Sequence, residues 1–101
     1  MKDEKELQEL YKECVDFWGF EKQARMAQEE CAELIKALCK FKRTGQTVDV
    51  IEEAADVFIM VEQLKLIFGE WHVENAVERK LSRLKERLGI EDEETEENDE
   101  Y

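Results

Sequence analysis

The sequence predicts an all-α fold, a bundle of four helices, and three observations predict it. Proline is absent and charged residues make up 42% of the chain, with Leu, Glu, Lys and Ala frequent, so nothing breaks long helices and much favours them. Apolar residues recur at helical spacing in four separate stretches. Each stretch ends at a glycine: Gly19, Gly45, Gly69 and Gly89. At 101 residues the chain is one domain, near the lower end of what supports a core without disulfides or metal. Residues 1–90 are expected to form the helical domain and 91–101 a tail.

The first helix is expected from about Asp3 to Trp18. Leu7, Leu10, Tyr11, Cys14 and Val15 form its stripe, Phe17 and Trp18 close it, and acidic residues in its first turn suit the helix dipole. The second runs from Phe20 or Glu21 to about Arg43, with Ala24, Ala27, Cys31, Leu34, Ile35 and Leu38 as its stripe. Lys40, Lys42 and Arg43 sit where a helix C-terminus favours cations. The short turn from Thr44 to Val48 makes the second and third helices antiparallel neighbours.

The third helix begins between Thr47 and Asp49, where Asp49 with Glu52 resembles a capping box, and runs to about Phe68. Its main stripe is Val50, Ala54, Val57, Val61, Leu64 and Phe68. Ile51, Ala55 and Ile59 form a second apolar line, so the helix is expected to be buried on two faces, the second against another subunit in a homodimer or homotetramer. The fourth helix spans about Trp71 to Leu88, with Val73, Ala76, Val77, Leu81, Leu84 and Leu88 facing inward. Phe41 and Trp71 are assigned to core or interface.

The formal net charge is −12, but Glu91–Tyr101 holds eight acidic residues and no basic one, which leaves residues 1–90 at −4. With nothing apolar to bury, this tail is expected to be disordered. The chain has no basic run on the scale that tracks a nucleic-acid backbone, so a polymer partner is disfavoured. Cys14, Cys31 and Cys39 lack CxxC spacing and read as reduced core residues of a cytoplasmic protein. No apolar run approaches the roughly 20 residues that span a bilayer, so no membrane association is expected.

The chemistry is concentrated in two carboxylate patterns. Glu29-Glu30-x-x-Glu33 lies on the second helix, and Glu53-x-x-Asp56 lies on the third. Residues three apart share a helix face, so Glu30 projects with Glu33 and Glu53 with Asp56. On a common wheel Glu30 matches Glu53, Glu33 matches Asp56, and the apolar stripes coincide. Antiparallel helices with these edges facing bring four carboxylates together, a cluster that needs a cation. All-oxygen ligation suits Mg²⁺, with Mn²⁺ as a substitute, whereas zinc would want His or Cys and the one histidine, His72, is remote in sequence. EExxE also occurs twice in the tail, at Glu93 and Glu96. The helical pair differs from those in being embedded, in phase, among apolar neighbours: Met26 and Ala37 around Glu30, Met60 and Leu64 around Glu53.

With these residues the chain resembles the MazG-like all-α NTP pyrophosphohydrolases, whose signature is EExxE, a variable gap, then ExxD. Here nineteen residues separate Glu33 from Glu53. The resemblance extends over most of residues 15–88 and includes Trp18-Gly19 followed by Gln23, the run Ile51–Val57, and Lys80-Leu81-x-x-Leu84. It implies an oligomeric helical enzyme that cleaves a nucleoside triphosphate, often a deoxynucleotide, between the α and β phosphates. It also implies Glu30, Glu33, Glu53 and Asp56 as Mg²⁺ ligands, with Glu29 an outer ligand or the group that orients the attacking water.

Lys80, inside the apolar arc of the fourth helix, is the best candidate within the chain for assisting at a phosphate, and Arg83 is a weaker one. Trp18 and Gln23 are candidates for a base pocket. Two alternatives stand beside this expectation: the related phosphoribosyl-ATP pyrophosphohydrolase, and a non-catalytic helical oligomer that binds ions. A di-iron bundle lacks its ExxH pairs.

Overall fold

The structure is a computed structural model that describes residues 3–90. The expected disordered tail lies outside the described residues. The chain forms four helices, α1 (Glu4–Trp18), α2 (Phe20–Thr44), α3 (Val48–Phe68) and α4 (Glu70–Leu88), and no strand among the described residues. It divides into two compact units, α1 to α3 and α4, and each is described by itself.

Local chemistry sets the helix ends. Asp3 caps α1, its Oδ1 accepting a hydrogen bond from the Glu6 N–H at 2.8 Å. At the other end of α2, Gly45 adopts φ +76°, a left-handed conformation, and its N–H donates to the Phe41 carbonyl at 2.7 Å. An added Cβ would meet nothing within 4 Å there, so only the backbone conformation resists substitution. Gly45→Ala is therefore expected to cost about 1 kcal/mol and Gly45→Asn less, measurable by urea denaturation.

The start of α3 departs from expectation. Thr47 makes no capping bond and Asp49 lies inside the helix rather than ahead of it. Gln46 takes the capping role, its Oε1 accepting from the Asp49 N–H at 3.0 Å. The Asp49 carboxylate accepts instead from Lys40 Nζ at 3.2 Å and Gln46 Nε2 at 3.3 Å. A cation and an amide across the turn compete better for this carboxylate than a backbone N–H of its own helix, and they hold its pKa below the usual value, Lys40 foremost.

Three contacts fix α2 and α3 as antiparallel. Gln23 meets Gln63, Glu30 meets Asp56, and Lys40 meets Asp49, so numbers rise along α2 as they fall along α3. Short as the connecting turn is, this agrees with the sequence.

The faces that meet coincide with the expected stripes only in part: Ala24, Ala27 and Leu34 of α2 and Val50, Val57 and Leu64 of α3 are buried or half-buried. Gln23, Ala27 and Ala37 are buried on α2, as are Met60 and Gln63 on α3, with Glu30, Leu34, Glu53 and Val57 half-buried beside them. Cys31, Ile35 and Leu38 on α2, and Ala54, Val61 and Phe68 on α3, are exposed. At about 100° per residue, both helices have turned by roughly 60° to 90° from their apolar stripes toward the carboxylates. The carboxylates therefore occupy the seam, and the most apolar flank of each helix faces outward.

Two further expectations are corrected. The cysteines are free, but only Cys14 is even half-buried, and Cys31 and Cys39 are exposed. Phe41 and Trp71 are exposed rather than in a core within this chain. Tyr11 is the one buried residue of α1, while Leu10 of its stripe is 42% exposed. In α4 no residue is buried: Val73 and Ala76 are half-buried, and Val77, Leu81, Leu84 and Leu88 are exposed. A single helix cannot cover its own apolar line.

Candidate functional site

Glu30, Glu53 and Asp56 come together in the middle of the α2/α3 seam. One carboxylate oxygen of each lies within 4.8 Å of the others. Helical phase explains the meeting: Glu30 follows Gln23 and Ala27 down one face of α2, and Glu53 and Asp56 precede Met60 and Gln63 down the opposing face of α3.

Glu33, the fourth expected ligand, is exposed and falls outside this triad, yet its charge still acts on both Glu30 and Glu53. Glu29 is exposed and projects away from the seam side of α2.

Electrostatics at the triad run in one direction. Desolvation, foremost, raises the pKa of Glu30, followed by a hydrogen bond with Asp56 and the charges of Asp56, Glu53 and Glu33. Desolvation also leads at Glu53, followed by the charges of Asp56, Glu33, Asp49 and Glu52. Every charge acting on these two groups is acidic. Lys40, which reaches across from α2, pairs with Asp49.

The sign of the resulting pH dependence follows. With both pKa values raised above their ordinary 4.5, the folded chain binds these protons more tightly than the unfolded chain. The contribution to stability is present below the ordinary pKa and is lost as pH rises through the folded values. In metal-free buffer the thermal midpoint of α1 to α3 is thus expected to rise on acidification from neutrality toward pH 5. A divalent ion is expected to flatten this rise, and calorimetry across pH with and without Mg²⁺ checks both.

The donor set fits a hard cation. Two oxygens on one Mg²⁺ lie at most about 4.2 Å apart, twice the roughly 2.1 Å bond, so small side-chain rotations would close the triad on a single ion. Only oxygen donors are present, which excludes the usual structural zinc set.

At the α1 end of the seam is a pair that sequence reasoning missed. Gln23 and Gln63 are 5% and 3% exposed, and Gln23 Nε2 donates to Gln63 Oε1 at 2.7 Å. Gln63 Nε2 also contacts Met60 Sδ at 3.9 Å. The signal was present: a glutamine seven residues before Glu30 and another seven after Asp56 must oppose one another in an antiparallel pair. Gln23 was expected in a base pocket; its side chain is instead buried in the seam.

Trp18, at the end of α1, is 46% exposed and stands edge-on to Phe17, with ring centroids 5.1 Å apart. It lines two open depressions, one with Leu10, Cys14 and Phe17, the other with Phe20, Lys22 and Arg25. Gln23 lines neither, so the structure does not place these two residues in one pocket. Lys22 and Arg25, beside the indole, were not anticipated. Lys80 and Arg83 are exposed on α4, where they border a shallow depression with Leu84 and Arg87.

Comparison with protein-family models, with curated proteins and with solved structures yields no match. No helix among the described residues is long and apolar enough to cross a membrane.

Proposed function

We propose that this chain is a Mg²⁺-dependent nucleoside triphosphate pyrophosphohydrolase of the MazG-like kind. The observation that supports it best is the triad of Glu30, Glu53 and Asp56, drawn from two antiparallel helices into one seam, with no basic partner among the described residues acting on Glu30 or Glu53. Glu30 and Glu53 are half-buried and Asp56 is exposed, and carboxylates gathered this closely among like charges are costly unless a cation completes the set. Three of the five motif residues that carry the family resemblance form this triad, and Glu29 and Glu33 lie outside it.

In this reading Glu30, Glu53 and Asp56 hold the ion, and Glu33 joins from the exposed end of the cluster. The bound ion supplies charge neutralisation to the phosphoryl oxygens and lowers the pKa of an attacking water. Glu29 orients that water. Addition of water at phosphorus breaks the bond between the α and β phosphates and releases monophosphate and pyrophosphate. Trp18 stacks on the base, and on α4, taken by itself, Lys80 and Arg83 are the candidates for phosphate oxygens. Gln23 is assigned to holding the seam in register with Gln63, not to the base.

The active form is a homodimer or homotetramer, and the protein works in the cytoplasm. Large apolar side chains left exposed on α3, among them Ile51, Phe58 and Phe68 at 62–65% exposure, favour a further copy covering them.

A panel of NTPs and dNTPs with Mg²⁺ or Mn²⁺, followed for both products, tests the reading. Turnover of at least one nucleotide is expected, and phosphoribosyl-ATP as the only substrate turned over would move the assignment to that related enzyme. A folded, metal-loaded protein that turns over nothing would contradict catalysis and leave a helical oligomer that binds ions.

A further inference from the structure

One cation reaches across the seam from within the unit that holds the triad. Of the six basic residues of α2, Lys40 alone is ion-paired among the described residues, and its partner, Asp49, lies on α3. Both helices belong to one compact unit, so the same helix pair that gathers the triad also places Lys40.

Lys40 stands beside the triad without entering it. Asp49 is one turn ahead of Glu53, about 6 Å along the α3 axis, and its charge reaches Glu53. Lys40 acts on neither Glu30 nor Glu53. A lysine within the triad would neutralise it and compete with a metal ion. One held a turn away leaves the ligands free, and its flexible four-carbon stem lets the ammonium swing toward them.

The contact that holds Lys40 is a weak one. Its Nζ donates to Asp49 Oδ2 at 3.2 Å, but both side chains are 46% exposed, and such pairs are screened by water and salt. Asp49 does not depend on it. Gln46 Nε2 also donates to Oδ2, at 3.3 Å, and Gln46 Oε1 accepts from the Asp49 N–H. Gln46 is fixed in turn, its N–H donating to Thr44 Oγ1 at 3.1 Å while that hydroxyl donates to the Lys40 carbonyl at 2.9 Å. The turn keeps its shape, and the carboxylate keeps a partner, when the ammonium leaves.

A polyphosphate at the triad gives the ammonium a reason to leave. The charges that act on Glu30 and Glu53, those of Asp56, Glu33, Asp49 and Glu52 among them, are acidic. A triphosphate carries more negative charge than one divalent ion cancels, so its outer phosphates are repelled from this rim unless a side-chain cation meets them. We propose that Lys40 exchanges Asp49 for the phosphates that lie beyond the metal ion, and so positions the polyphosphate from within the α2/α3 pair. Phosphate oxygens carry more charge than one carboxylate and bind an ammonium through charge-assisted hydrogen bonds. This role rests on the triad being a metal site.

The test measures binding of inorganic tripolyphosphate in Mg²⁺ buffer by calorimetry, and Mn²⁺ uptake by electron paramagnetic resonance, for the whole chain and its variants. Lys40→Ala is expected to weaken tripolyphosphate binding by about tenfold, the loss of one charge-assisted hydrogen bond, and to leave Mn²⁺ uptake unchanged. Lys42→Ala removes the same charge from the opposite flank of α2 and is expected to weaken binding by less than about twofold. Asp49→Asn frees Lys40 and is expected to tighten binding by about two- to fivefold. Equal binding by wild type and Lys40→Ala would overturn the proposal and leave the metal site standing. So would equal losses in Lys40→Ala and Lys42→Ala, or a loss in Asp49→Asn that matches Lys40→Ala, which would mark the pair as a brace for the turn. Wild-type Mn²⁺ uptake no greater than that of Glu53→Gln would overturn the metal site and this role with it.

Discussion

Glu53→Gln and Asp56→Asn are each expected to reduce pyrophosphate release to background while leaving the helices formed, and at the same time to raise the thermal midpoint of the metal-free protein. The two effects share one cause. In the seam Glu53 and the adjoining Glu30 are partly desolvated and repelled by their acidic neighbours, Asp56 among them, which raises the pKa of both. Removing one charge relieves the repulsion and also removes a ligand. Loss of activity with a raised midpoint is therefore the signature of a site held against stability. Loss of activity with a lowered midpoint and loss of helical circular dichroism would instead mark a residue needed for folding. Glu29→Gln serves as a contrast: exposed and outside the triad, it is expected to slow turnover and to leave metal-free stability unchanged.

The second large effect is expected at the buried amide pair. Gln63→Leu leaves the Gln23 amide, 5% exposed, without its partner, and stranding a buried polar group costs about 1–3 kcal/mol. For a folded unit of this size that corresponds to a midpoint lowered by roughly 4–8 °C per kcal/mol. Gln23→Leu is expected to cost a similar amount. The double variant is expected to recover much of the loss, because two leucines leave no unpaired polar group. A double-mutant cycle by thermal denaturation measures this coupling. Additive losses would show that the two amides are not partners. Because the pair sits about two turns from the nearest triad residue on each helix, the single variants are also expected to weaken metal binding by letting the register slip.

The sequence made much of this architecture legible. Four glycines and four apolar periods located the helices to within a residue or two, and the short turn at Gly45 predicted the antiparallel pair. Equal phase of Glu30 and Glu53 predicted that they would meet, and they do. Rotation about the helix axes was not legible. Periodicity identifies the most apolar face and so points to it as the α2/α3 contact, with the carboxylates at its edge. In the structure polar groups share the contact with Ala27, Ala37 and Met60: Gln23 against Gln63 at one end and Lys40 against Asp49 at the other, with the triad between them. A polar pair contributes nothing to a hydrophobic stripe, so its preference for burial shows only when the two helices are laid against one another. The displacement of Glu33 from the triad has the same origin, since on the rotated α2 it lies toward the rim of the seam. Capping at α3 was misread because Asp49 has a stronger partner across the turn in Lys40, a contact that local motif reading does not contain.

The central claim is that the seam carboxylates hold a divalent ion, and Mn²⁺ uptake measured by electron paramagnetic resonance tests it most directly. Wild type and Glu53→Gln carry the same acidic segment 91–101, so weak binding there is common to both and cancels in the comparison. Wild-type protein is expected to take up Mn²⁺ at a site from which Mg²⁺ displaces it, and Glu53→Gln is expected to lose that component. Equal uptake by the two proteins, both folded, would contradict the assignment.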